Sequence, residues 1–93
     1  MTAKKTNRRT MACYTRRMDL AIGHWQLMGQ RAAKDGDQEL ATQYERDVAD
    51  LTAFREAFAA GDFATATCLA DAMDTLVRDQ IPLQVYHTVF PNR

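Results

Sequence analysis

Turn-forming residues are scarce in this sequence: 93 residues include only four glycines and two prolines. That poverty argues against a turn-rich all-β fold, and the abundance of Ala, Leu, Met, Gln, Glu and Arg favours long helices. Long apolar runs are missing too. None approaches the roughly 20 residues that cross a bilayer, and the first residues lack the apolar stretch of a secretory signal. The expectation is a cytoplasmic protein with no membrane contact. Cysteine is limited to Cys13 and Cys68, far apart and outside any C-x-x-C pattern. Neither a disulfide framework nor a metal knuckle has support, and both are expected to serve as small apolar residues.

Residues that do chemistry are equally thin. The histidines are His24 and His87, in no H-x-x-x-H or H-E-x-x-H spacing. No nucleophile has a base at a telling distance, no paired carboxylates suggest a cleft, and no glycine-rich loop follows a strand to cradle a phosphate. Asp71 and Asp74 stand three apart and could share a cation. However, the glycine and closing glutamate of a calcium loop are absent, and acids on a solvated helix face are routine. The expectation is a non-enzymatic chain with no catalytic residue, no cofactor and no metal.

Acid is absent from residues 1–18, which hold Lys4, Lys5, Arg8, Arg9, Arg16 and Arg17. The formal net charge is zero, so the remaining residues carry all twelve acids against six basic residues. Ten of those acids fall between Asp37 and Asp79, among Arg46, Arg55 and Arg78. Such a split marks surfaces that meet water or a partner of opposite sign.

What is present is helical periodicity. Residues 1–7 have nothing to bury and read as a basic, flexible arm, leaving 8–93 as one helical domain. From Met11, the residues Tyr14, Met18, Ala21, Trp25, Met28 and Ala32 follow at spacings of three and four, one face of a helix over about 9–34. Gly36 can end it in the left-handed conformation, and Asp37 can cap the next. Leu40, Tyr44, Val48, Leu51, Phe54 and Phe58 then stripe a second helix over about 37–60. The Asp35–Asp37 connection is too short for a parallel return, so the two helices form an antiparallel hairpin. That register sets Met28 by Tyr44, Trp25 by Val48, Ala21 by Leu51, Met18 by Phe54 and Tyr14 by Phe58, apolar on both sides each time.

Gly61-Asp62 repeats the stop-and-cap signal. A third helix is expected over about 63–80, with Phe63, Ala66, Leu69, Ala70, Met73, Leu76 and Val77 inward and Pro82 as its limit. Its alanines, Ala64, Ala66, Ala70 and Ala72, suggest close approach to the hairpin. Residues 81–93 are a short C-terminal element. Their residue types favour a strand, but no other segment offers a partner, so a short helix between Pro82 and Pro91 is preferred. Tyr86 and Phe90 are its candidate contacts. The fold class is all-α, a small helical bundle.

Three surfaces stand out as binding candidates. Lys4, Lys5, Arg8, Arg9, Arg16 and Arg17 could neutralise phosphates of a nucleic acid or meet an acidic protein. Cys13, Leu20 and Leu27, with Arg17, His24 and Arg31 beside them, recur on the side of the first helix opposite the hairpin stripe. The bland expectation is that the third helix or the tail covers this second face. Left open, it would serve self-association as a homodimer or a partner protein. The acidic remainder could occupy a basic site on a partner. Together these point to a non-enzymatic adaptor or inhibitor docking on a larger macromolecule, a profile of size and charge shared with small accessory proteins of phages and mobile elements. The alternative is a nucleic-acid-binding protein using the arm and the start of the first helix.

Overall fold

Two Gly-Asp dipeptides divide the chain into helices. A computed structural model describes residues 8–82 and Val85, with side chains from residue 12 onward. Four helices result: α1 (Arg8–Lys34), α2 (Gln38–Ala59), α3 (Phe63–Ala72) and α4 (Thr75–Arg78), and no strand occurs among the described residues. The arm expected at 1–7 and the tail candidates Tyr86 and Phe90 lie outside the described residues.

Both junctions use the same device. Gly36 (φ +84°) and Gly61 (φ +78°) take the left-handed backbone that side-chain-bearing residues disfavour. The Asp37 N–H then donates to the Ala32 carbonyl and the Gly36 N–H to Ala33, while Asp62 N–H donates to Ala57 and Gly61 N–H to Phe58. These paired bonds satisfy carbonyls that a helix C-terminus would otherwise leave without partners. Each aspartate also begins the next helix: Asp37 accepts from the Leu40 N–H at 3.1 Å and Asp62 from the Thr65 N–H at 3.2 Å. One dipeptide thus closes one helix and opens its successor.

α1 and α2 pack along each other as the expected hairpin. The rings of Tyr14 and Phe58 meet at 6.2 Å, and Phe58 continues to Phe54 at 6.4 Å and Phe63 at 5.8 Å, tying α1, α2 and α3 together. Nearer the turn the packing residues are small. Gly29, Ala32 and Ala41 are buried, and a Cβ on Gly29 would lie 3.1 Å from the Tyr44 Cβ. The helices therefore approach closely there. Asp19 and Arg55 add an exposed two-bond ion pair across the hairpin at 3.1 and 3.3 Å, worth about 0.2–1 kcal/mol at such a surface.

The core is concentrated at one end of the hairpin, where Met18, Leu51, Phe54 and Phe58 join Ala66, Ala70, Met73, Val77, Ile81 and Val85. Towards the turn only two helices are present. Trp25, Met28, Tyr44 and Val48, expected to be hidden, are consequently half-buried, and Leu40 is 43% exposed.

The third helix is shorter than its apolar pattern suggests. It ends at Ala72, and Met73 (ψ 157°) and Asp74 (ψ 153°) are extended before α4. Asp and Thr favour the start of a helix over its interior, which explains a break at Asp74-Thr75. The bend turns Val77, Ile81 and Val85 into the core beside Met73 and leaves Leu76 76% exposed. Arg78 reaches back over the end of α3. Its Nε donates to the Ala70 carbonyl at 3.0 Å, and its Nη2 to Met73 at 3.1 Å and Asp71 at 3.4 Å. A planar cation thereby serves the carbonyl end of a helix dipole. Beyond α4, the Val85 N–H bonds to the Pro82 carbonyl, and Pro82 and Val85 are buried.

Candidate functional site

The position of α3 determines which surface is open. α3 and α4 both pack on α2. Among the described residues, the expected covering of the second face of α1 does not occur, because the alanines Ala66 and Ala70 dock against α2 near Phe54 and Phe58. Leu20 is 71% and Leu27 66% exposed, and Cys13, His24 and Arg31 are exposed with them. The candidate partner face is therefore a solvent-facing stripe of one long helix. Cys13 and Cys68, expected to serve as small apolar residues, are both exposed free thiols.

The basic candidates divide. Arg16 and Arg17 are exposed on α1, Arg8 and Arg9 fall in its first turn with side chains outside the described residues, and Lys4 and Lys5 lie outside them altogether. With 3.6 residues per turn, Arg16 and Arg17 share the side that carries Cys13, Leu20 and Leu27. Lys34 continues it at the far end. The apolar stripe, expected to have Arg17 beside it, carries Arg16 on its other edge as well. The single acid of α1, Asp19, stands one turn before Gly23 at the edge of this stripe and is paired with Arg55.

The relief of the face is shallow. His24, Leu27, Met28, Gln30, Arg31 and Lys34 border a depression of about 430 Å³ formed by one helix. A second, of about 290 Å³, lies in the hairpin groove among Trp25, Gly29, Tyr44 and Val48. Gly23 is more telling. It sits three residues after Leu20 and four before Leu27, and a Cβ there would meet no atom within 4 Å. Unlike Gly29, it has no neighbour among the described residues that excludes a side chain. A mid-helix glycine costs about 1 kcal/mol relative to alanine, so the notch it leaves is uncompensated within the described structure. Periodicity analysis passes over this residue because glycine has no side chain to assign to a face.

Acidic groups are organised differently. Asp47 on α2 has its carboxyl pushed up chiefly by burial, helped by the charges of Asp74 and Asp50, against the hydrogen bond from Gln43 and the nearby Arg46. Asp62 is held below the ordinary carboxylate range by the Thr65 hydroxyl and Thr65 N–H. Among the described residues, no three His, Cys, Asp or Glu side chains gather as a metal site, and no helix is long and apolar enough to cross a membrane. Comparison of the chain with protein-family models, curated proteins and solved structures found no match.

Proposed function

We propose that the protein is a non-enzymatic adaptor or inhibitor that docks on a larger protein through the outer face of α1. The observation that carries this reading is the exposure of Leu20 and Leu27 on a helix whose opposite side already packs an apolar stripe on α2. A helix needs one apolar stripe to join a bundle. Among the described residues the second stripe packs on nothing, and it leaves apolar area in water at about 25 cal/mol per Å². Contact with another protein would recover that energy.

Nucleic acid is the competing partner, since Arg16 and Arg17 are exposed on the same face. Phosphates would satisfy the cations but offer nothing to Leu20 and Leu27. The protein-docking reading uses both kinds of residue and is preferred for that reason.

Affinity purification of the tagged chain from its native cells, followed by mass spectrometry, tests the proposal with Leu20→Asp and Leu27→Asp. Helical circular dichroism should be unchanged in both variants, because neither leucine is buried in the subunit, while a protein recovered with the wild type should be lost. Retention of every recovered protein by both folded variants would overturn the reading.

A further inference from the structure

The outer face of α1 has a finer pattern that bears on the chemistry of its partner. Leu20, Gly23, His24 and Leu27 stand at positions i, i+3, i+4 and i+7, the four corners of the hole into which a side chain of a second helix inserts when helices interdigitate. Cys13, Arg16, Arg17 and Leu20 repeat that diamond one heptad earlier, and Leu27, Gln30, Arg31 and Lys34 one heptad later. Successive holes are about 10 Å apart along the axis. At the central hole one corner is a glycine, and a Cβ there would meet no atom within 4 Å.

Charge selects what lies in these holes. Arg17, His24 and Arg31 recur at seven-residue intervals beside the apolar corners, with Arg16 and Lys34 on the other flank, where the one acid of α1, Asp19, is paired with Arg55. We propose that the outer face of α1 receives an acidic amphipathic α-helix of the partner, one apolar side chain seated at Gly23 between Leu20 and Leu27 and its flanking carboxylates against Arg16, Arg17 and Arg31. This rests on the protein-docking reading above and assigns the partner's chemical class. A second copy presenting the same face would bring like charges together. A duplex would leave the leucines unmatched, and a lipid surface would find only two large apolar side chains, since Trp25 belongs to the hairpin side.

The glycine supplies a test that leucine substitutions cannot. Gly23→Met fills the central hole without touching the fold, as a Cβ at this position is unobstructed. The full chain is titrated against a synthetic helix of several heptads, leucine at a and d and glutamate at e and g, which its own like charges keep monomeric. A twin with lysine at e and g, a duplex oligonucleotide and phosphatidylserine vesicles serve as the other arms, and sedimentation reports self-association. The glutamate helix should bind at least about tenfold more tightly than the lysine twin, weakening as salt rises. Leu20→Asp, Leu27→Asp and Gly23→Met should each lower its affinity by about 10- to 100-fold, the loss of one seated apolar side chain. For Gly23→Met the melting temperature should be equal to or above that of the wild type.

Equal binding of the two helices overturns the acidic assignment. Unchanged affinity in a folded Gly23→Met overturns the seated side chain. Tighter binding of the duplex or vesicles, or self-association through this face, replaces the occupant and overturns the proposal. If the leucine variants still abolish the cellular complex while the glutamate helix is not preferred, the partner's chemistry fails and the docking face stands. A cellular complex retained by both variants removes the docking face itself.

Discussion

Gly23 and Gly29 lie on the same helix six residues apart, and replacing each with alanine should move stability in opposite directions. Either substitution gains about 1 kcal/mol from helix propensity, because alanine restricts the unfolded chain and suits the helix. At position 23 nothing opposes that gain, since the new methyl meets no atom within 4 Å. At position 29 the methyl would stand 3.1 Å from the Tyr44 Cβ. A Cβ is fixed to its backbone, so relief requires α1 and α2 to part by a few tenths of an ångström where Ala32 and Ala41 also pack. Overpacking of this kind costs about 1–3 kcal/mol. Gly23→Ala should therefore be more stable than the wild type and Gly29→Ala at best equal to it, the two variants differing by about 1–3 kcal/mol. For a domain of this size, each kcal/mol displaces the melting temperature by about 4–8 °C. Thermal and urea melts followed by circular dichroism read both quantities. Stabilisation of the two variants by the same amount would refute the close approach of the helices at Tyr44, and destabilisation by Gly23→Ala would show that position 23 is packed.

Arg78→Ala should cost about 2 kcal/mol in a urea melt, because the charged donor to Ala70, Met73 and Asp71 is lost and the end of α3 is left to water; Arg78→Lys should recover little, since one ammonium cannot span the three carbonyls, and full recovery would refute the forked cap. The two perturbed aspartates should separate in melts repeated across pH. Asp62, with its folded value depressed, stabilises fully above the ordinary carboxylate value and loses that contribution as pH falls through the lower folded value, so the deficit of Asp62→Ala should persist at neutral pH and vanish only in strong acid. Asp47, with its folded value raised, penalises the folded state above that value, so any advantage of Asp47→Asn should shrink as pH falls through it and be gone below the ordinary carboxylate value. A deficit of Asp62→Ala that disappears, as pH falls, before the advantage of Asp47→Asn shrinks would contradict both assignments.

The antiparallel hairpin was legible in the chain because its determinants are local. Stripes from Tyr14 to Ala32 and from Leu51 to Phe58 obey one helical period, and Gly36-Asp37 and Gly61-Asp62 each hold both halves of a junction within two residues. The exposed stripe of Cys13, Leu20 and Leu27 was visible for the same reason. Its freedom from cover was not. Both α1 and α2 offer apolar residues, and only the docking of Ala66, Ala70 and Phe63 against α2 decides that the outer face of α1 stays open. Arg17 was legible beside that stripe from the same period, and α1 does run unbroken to Lys34.

Residue pattern alone thus determined the helical class, the two stop-and-cap junctions and the register of the hairpin, all of which follow from interactions within a few residues or across one short turn. Tertiary structure decided the turn of Val77 and Ile81 into the core after Asp74, the return of Arg78 over α3, the half-exposure of Trp25 and, among the described residues, the open face of α1. Each of these depends on which neighbour occupies a given apolar surface, and that choice is a comparison of packing energies over the whole chain, which no local period encodes.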